Sequence, residues 1–299
     1  MSSNSSKSPK KILVIKLSAL GDVIHTLPVP RTLRQEYPDA YIAWMIEERY
    51  QELLYNNPDI DEIITIRTKV WRKNWSKKTF NEILQTIKNL RQKKFDIVFD
   101  LHGLIKSSII VMLSGAKTKI GFHKNNCKEK ISSIFTNKKG PYMAGGIHVV
   151  DMYLTLVQSA LGVKTDVKQF PICIPEAQEQ KIEGFFQNHP ELTANPIIGI
   201  NPGAGFESKL WKMEKFAKLS DRITNEMGYS ILLLWGPGEE QKAKQIATSM
   251  KEKCWVAPAT TIQESIALYK RLKLLVSCDS GPLHLCSALG IPTVSLFGP

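Results

Sequence analysis

The chain reads as an α/β protein made of two parallel-sheet domains. Three observations predict this. Short, apolar, β-rich runs alternate with segments of helical periodicity along the chain. The alternation restarts near residue 196 with a second strand and a second glycine-containing loop. The 299 residues, 43% hydrophobic and 23% charged, are enough for two cores of roughly 150 residues each. Strict strand–helix alternation puts helices on both faces of a mainly parallel sheet, so each half is expected to be Rossmann-like.

The elements follow in order. MSSNSSKSP (1–9) is polar and reads as a disordered tail. KILVI (11–15) is a strand, followed by the loop LSALG and a helical segment in which Pro28 and Pro30 sit early, where proline is tolerated. YIAWMI (41–46) and EIITI (62–66) are strands, 79–92 is a helix, and FDIVFD (95–100) is a strand ending in an acid. GLIKSSIIVML follows as a helix, TKIGF (118–122) as a strand, and 148–161 as a helix with apolar residues at i, i+3, i+4 and i+7. The segment 163–176 is the predicted boundary, dividing an N-terminal domain (11–170) from a C-terminal one (171–299). The second series has strands at 196–200, 230–236, 274–278 and 292–298. Its helices lie near 213–227, over GEEQKAKQIATSM, over 261–271 and over PLHLCSALG. Thr261 with Glu264 three residues later forms a capping-box pattern.

Composition narrows the function classes. Five scattered cysteines with no C-x-x-C pair argue against a disulfide framework or a zinc ribbon and for a reducing compartment. No signal-like stretch opens the chain and no apolar run approaches the roughly 20 residues of a membrane helix, so a soluble, cytoplasmic protein is expected. The net charge of +12 lies wholly in the first 170 residues. Residues 67–94 hold ten basic residues against Glu82 alone, and 117–139 hold seven against Glu129 alone. Such a surface attracts a phosphate-rich partner, whether nucleic acid, an anionic membrane or a phosphorylated substrate. Any one cluster by itself reads as an ordinary solvated face.

Ligands in such sheets bind beyond the carboxyl ends of the strands, and two facing domains would place those ends across one cleft. The strongest local signal is SCDSGPLHLCSALGIP (277–292). A strand ends at Cys278, Asp279, Ser280 and Gly281 turn, and a helix begins whose free N–H groups form an anion site over Gly281, Pro282 and Leu283. Ser280 could instead cap that helix. His284 lies in its first turn, in reach of a phosphate or ribose, or is simply structural. The loop NPGAG places Gly203, Ala204 and Gly205 after a strand, where glycine permits close approach to phosphate. It lacks the full G-x-G-x-x-G, so a dinucleotide dehydrogenase is not supported. Lys209 follows that loop, either reaching the same site or standing in solvent. Asp22 marks the passage from the first strand to a helix, as a cap or as a general base. The D-x-D triplet in PDID (58–61) reads as a turn rather than a metal site. No metal-ligand spacing, Walker loop or G-x-S-x-G elbow is present, so neither a metal nor a cofactor is expected.

Together, KLSALGDVIHTLP (16–28), VWRKNW (70–75), DLHGLIKS (100–107) and DSGPLH followed by ALGIP resemble glycosyltransferase family 9, most closely its lipopolysaccharide heptosyltransferase I branch. The resemblance runs from Lys11 to Pro299. It implies a GT-B fold, with the donor on the C-terminal domain and the acceptor on the N-terminal one. It implies inverting transfer of L-glycero-D-manno-heptose from ADP-heptose to Kdo of lipid A, at the inner face of an anionic membrane. By the same resemblance Asp22 is the base and Lys209 stabilises the leaving diphosphate. Asp279 holds heptose hydroxyls, and Glu239 holds the ribose, with Glu240 an equal competitor on sequence. Lys69, Arg72 and Lys73 form a basic acceptor loop, with Lys106 a weaker acceptor candidate. Trp71 and Trp75 would touch sugar and lipid or, more simply, pack in the core. Ala204 and Gly205 stand where relatives carry hydroxyl residues, leaving only backbone donors there. The family continues for some tens of residues beyond the position of Pro299, so a truncated donor domain is expected. Another family 9 transferase, a nucleic-acid-binding module suggested by the basic half, and an inactive nucleotide-sugar binder are the alternatives; no oligomeric state is implied.

Overall fold

A computed structural model describes residues 10–163 and 168–298; the expected tail at 1–9, residues 164–167 of the expected connection and Pro299 lie outside the described residues. The chain divides into two compact units, Met1–Pro171 and Ile172–Pro299.

In the first unit the apolar residues of β1 (Lys11–Ile15) are buried, as a central parallel strand requires. The helical segment after it is two helices, α1 (Leu20–Ile24) and α2 (Pro28–Glu36), with Pro28 at the first helical position of the second. β2 (Tyr41–Glu47), β3 (Glu62–Ile66), β4 (Ile97–Asp100) and β5 (Thr118–Gly121) lie where the apolar runs predict, with somewhat different ends. So do α4 (Lys77–Gln92), α5 (Ile105–Leu113) and α6 (Val149–Leu161), the last closed by Gly162 at φ 74. Pattern reading misses α3 (Thr68–Lys73), the two-residue β6 (Lys138–Lys139) and 3-10 turns at Glu48–Leu54, Lys124–Asn126 and Lys130–Phe135. The six strands run in parallel in the order β3-β2-β1-β4-β5-β6.

The second unit opens with two unpredicted helices, α7 (Glu176–Gln187) and α8 (Pro190–Thr193). It continues through β7 (Ile197–Asn201), α9 (Met213–Met227), β8 (Ser230–Leu233), α10 (Glu240–Ser249) and β9 (Trp255–Val256). It ends with α11 (Ile262–Tyr269), β10 (Leu272–Cys278), α12 (Gly281–Ala288) and β11 (Thr293–Leu296). The capping box at Thr261 and Glu264 is present. The sheet is again all parallel, in the order β11-β10-β7-β8-β9. Phe216 on α9 and Ala243 and Ile246 on α10 cover Ile198, Ile200, Ile231, Leu233 and Val276.

Both sheets reverse winding direction once, between β1 and β4 in the first unit and between β7 and β10 in the second. The carboxyl ends of those four strands are the switch points where open α/β sheets take ligands. Among the described residues no helix is long and apolar enough to cross a membrane.

Candidate functional site

In the first unit a cluster of polar groups grows from the end of β1. Strand pairing carries one residue past Ile15, Lys16 N–H donating to Met45 O. The Lys16 side chain is only 1% exposed. Its Nζ donates to Leu101 O (2.8 Å) and the Tyr153 hydroxyl (2.5 Å), sits 4.5 Å from the Tyr153 ring centre, and lies 4.0 Å from Asp22 Oδ1. Asp22 itself is in the first turn of α1, whose N-cap is Ala19, and its other oxygen meets Lys128 Nζ at 3.3 Å. Burial pushes the Asp22 carboxyl up, but the Lys16 and Lys128 charges outweigh it and hold the group below the usual carboxylate range. It is therefore an ionised acceptor at neutral pH, partly open to solvent.

Lys16 carries a cost. Burial brings its ammonium from an ordinary 10.5 down to about 8, against the opposing pull of Asp22. Between those values the unfolded chain holds a proton that the folded chain has released. Stability from this group therefore rises with pH across that window and is at its deficit below about pH 8. Lys16→Met removes that deficit. The melting temperature of the variant relative to the parent should be more favourable at pH 7 than at pH 10, and thermal melts at the two pH values read the difference.

At the end of β4, Asp100 is consumed by structure. It accepts from the backbone N–H groups of His102 (3.0 Å) and Gly103 (3.2 Å) and from Ser108 Oγ (2.7 Å), tying the turn to α5. That turn buries His102, whose ring nitrogens have no protein partner. Burial, then the charges of Lys16 and Lys106, hold the imidazole neutral, with its proton lost at about 3. Lys106 on α5 donates to Ser18 Oγ at 3.3 Å. Burial lowers its ammonium, with Glu47 opposing and Arg49, Arg72 and Lys69 reinforcing. Lys69 and Arg72 of the expected basic loop thus stand within electrostatic reach of Lys106, which the sequence named apart from them. Lys73 lies in the last turn of α3. Trp71 packs against the core of this unit, as expected of a core residue, whereas Trp75 departs from that expectation and is 77% exposed.

In the second unit a cluster lies where β7 and β10 end. Asn201 Nδ2 donates to Ser277 Oγ and Ser280 Oγ, each at 2.9 Å, and to Gly203 O at 3.3 Å, stitching the two loops together. This corrects one reading of Ser280. It occupies the N-cap position of α12, yet its side chain makes no capping bond and turns back to Asn201 and Ser277. The first-turn amides of Gly281 and Leu283 are left without a side-chain cap, and Pro282 between them has no N–H to satisfy. Lys209 closes a short 3-10 turn, Glu207–Lys209, and its Nζ meets Asp279 Oδ2 at 2.5 Å; His284 Nε2 meets Asp279 Oδ1 at 3.3 Å. The Lys209 hydrogen bond, supported by the charges of Lys209 and His284, holds the Asp279 carboxyl below its usual range. Anion-accepting amides, a cation and a carboxylate thus share one strand edge, an arrangement suited to a diphosphate with a polyol beside it.

Glu239 and Glu240 diverge. Glu240 begins α10 and pairs with Lys244 at 2.7 Å on the surface. Glu239 stands in the turn before it, accepting from Gly236 N–H at 3.1 Å and lying flat against Gly203, where a Cβ would come within 2.2 Å of its Oε2. At Gly205 a Cβ would meet nothing within 4 Å. Gly203→Ala is therefore expected to swing the Glu239 carboxylate away and, on the ribose role that the family resemblance implies for Glu239, to weaken ADP binding by roughly ten- to a hundredfold, the loss of one charged hydrogen bond. Gly205→Ala should leave ADP affinity within twofold of the parent; calorimetric titration of both variants checks the pair.

The D-x-D triplet is occupied otherwise: Asp59 pairs with Arg31 at 3.0 Å and Asp61 with Arg34 at 2.6 Å. Among the described residues no group of three or more His, Cys, Asp or Glu is placed to hold a metal. The sequence reading missed Lys16, Lys128, Tyr153, Asn201 and Ser277. Only Lys16, a charge directly after the apolar run at 12–15, and Asn201, at the start of the glycine loop, carried a local signal.

Comparison with known proteins identifies the family and the fold. Glycosyltransferase family 9 (heptosyltransferase) is matched over residues 67–299. Lipopolysaccharide heptosyltransferase 1 of Pseudomonas aeruginosa is 28% identical over 295 residues, spanning 97% of this chain and 79% of that protein. The Escherichia coli K12 protein of the same name is 27% identical, with 97% of this chain and 88% of that one covered. The crystal structure of a family 9 glycosyl transferase from Veillonella parvula superposes with TM-score 0.83 at 26% identity, covering 96% of this chain and 80% of that one. E. coli heptosyltransferase WaaC with ADP-2-deoxy-2-fluoro heptose gives TM-score 0.78 at 26% identity, covering 95% of this chain and 88% of that one.

Proposed function

The chain belongs to glycosyltransferase family 9, the heptosyltransferases, and from that membership we propose that it moves heptose from ADP-heptose to a Kdo sugar of lipid A during assembly of the lipopolysaccharide core. It is a GT-B glycosyltransferase of two α/β units. The observation that supports the proposed donor most directly is the edge of the second sheet. There, uncapped amides at Gly281 and Leu283, the Lys209 cation and the Asp279 carboxylate lie together, and the similar WaaC structure holds an ADP-heptose analogue.

The reaction is a single displacement. The acceptor hydroxyl oxygen bonds to the anomeric carbon of heptose as its proton passes to Asp22. The bond from that carbon to the diphosphate oxygen breaks on the opposite face, and ADP carries away the electron pair, so configuration inverts. Lys16 and Lys128 keep Asp22 ionised and ready to accept. On the donor side, Lys209 and the first-turn amides of α12 receive the charge that grows on the leaving diphosphate. Asp279, freed as Lys209 turns to phosphate, takes hydrogen bonds from heptose hydroxyls, and Glu239 takes those of the ribose. Lys69, Arg72, Lys73 and Lys106 face the anionic acceptor. No electrons are exchanged, so the step calls for no redox cofactor. An acceptor embedded in a bilayer makes this a peripheral enzyme of the cytoplasmic membrane face.

The test is incubation with Kdo–lipid A and, in separate reactions, ADP-heptose, GDP-sugars and UDP-sugars, read by mass spectrometry. A single heptose added from ADP-heptose alone is expected. Transfer from another nucleotide, or none from ADP-heptose, overturns the assignment.

A further inference from the structure

In the first unit, the stretch spanning α3 and the start of α4 is built against the usual logic of a soluble surface. α3 has no fully buried residue and anchors itself through the partly buried Trp71, and α4 fully buries only Thr79 and Leu90. What they present instead is apolar: Val70, then Trp75 at 77% exposure, Phe80 at 53% and Leu84 at 48%. Phe80 and Leu84 are four apart on one helix and so share a face. Trp75 and Phe80 flank a shallow depression of about 380 Å³ completed by Ser76, Lys77 and Asn81. Around them stand Lys69, Arg72, Lys73, Lys77 and Lys78, all exposed. The stretch's one carboxylate, Glu82, is neutralised by Arg67 at 2.7 Å. An indole and a phenyl ring held in water are costly, and a ring of lysines around them disfavours a basic or neutral partner.

We propose that this Trp75–Phe80–Leu84 face is a docking surface for an anionic lipid bilayer. Lys77 and Lys78 lie over the lipid phosphates, and Trp75 and Phe80 enter the interfacial layer. The charge pattern carries the choice of partner. Basic side chains within a Debye length of an anionic leaflet add up in their attraction, and tryptophan is favoured at the headgroup level. Val70 and Leu84 extend the apolar rim on either side. The proposal rests on the reading of a membrane-borne acceptor, and the two are tested by separate readouts: transfer to a water-soluble Kdo disaccharide phosphate tests the reading, and vesicle binding tests the surface.

The experiment uses the full chain with vesicles of phosphatidylethanolamine and phosphatidylglycerol, and with vesicles of phosphatidylcholine alone, in a sedimentation assay. Binding to the anionic vesicles that weakens as salt rises, and none to phosphatidylcholine, is expected. The double variants F80S/L84S and K77E/K78E should each lose at least tenfold in vesicle affinity while turning over the soluble acceptor at the parent rate. Lipids brominated near the headgroup should quench the parent's tryptophan fluorescence more than that of W75F. The proposal is overturned by unchanged vesicle binding in both double variants, or by binding only when lipid A precursor is added to the vesicles. It is equally overturned by a lipid-independent dimer that F80S/L84S abolishes, since the face would then belong to a second copy of the chain.

Discussion

Asp22→Asn should lower kcat by about 10²–10⁴, the range for loss of a positioned general base, with ADP affinity unchanged. The asparagine keeps the shape of the carboxylate and most of its neighbours, so Lys16 stays anchored by Leu101 O and Tyr153. What is lost is the capacity to take a proton. Because Lys16 and Lys128 hold the parent carboxyl below its ordinary range, activity governed by Asp22 should stay flat as pH falls from 8 to about 5 and drop only as pH passes below that range. Steady-state transfer assays across this interval, with calorimetry of ADP binding, check both parts. Lost ADP binding in the variant would remove Asp22 from the role of base.

Lys209→Met should lower kcat by about 10²–10³, the cost of losing one group that stabilises charge in the transition state. The salt bridge to Asp279 gives this prediction a second edge. Lys209 is engaged by Asp279 at 2.5 Å, so its removal leaves Asp279 with His284 beside it, and the Asp279 carboxyl should rise toward its ordinary value. Asp279→Asn alone should also impair transfer. Because the two side chains form one unit, the double variant Lys209→Met with Asp279→Asn should lose less than the product of the single losses. Kinetics of the three variants close the cycle, and strictly multiplicative losses would show that the two act separately.

The parts legible in the sequence are those that chain-local physics controls. β1, β2 and β7 are apolar runs that can only be buried strands, and α6 repeats its apolar positions with helical spacing. α3 was invisible because it is six residues long and packs inward only through Trp71, leaving no periodicity to read. α7 anchors itself with Ile182 and Phe186 only, too few for a pattern. In the site, the loops around Gly203 and Asp279 announced themselves through glycine and proline. The pairings that give them electrical character did not. Lys128 reaches Asp22 across more than a hundred residues, and Asn201 reaches Ser277 and Ser280 from another strand. Glu239 and Glu240, adjacent in sequence, take different surroundings only because of where α10 begins and because Gly203 lacks a side chain.

The winding of the two sheets bears on how the chain acquires its structure. In the first unit Ile12 lies opposite Ile97, and the central pair of strands cannot form until everything between them has been made. In the second, Ile198 can find Ile231 early, but Ile200 waits for Val276. Sheets closed by such distant partners nucleate slowly, because a long loop must be ordered before any contact rewards it. During vectorial synthesis the N-terminal half can complete its sheet while the C-terminal half is still in the ribosome. Until each late strand arrives, the open edge of its neighbour is a point of exposure to aggregation, and expression at reduced temperature or with chaperones should raise the yield of native protein.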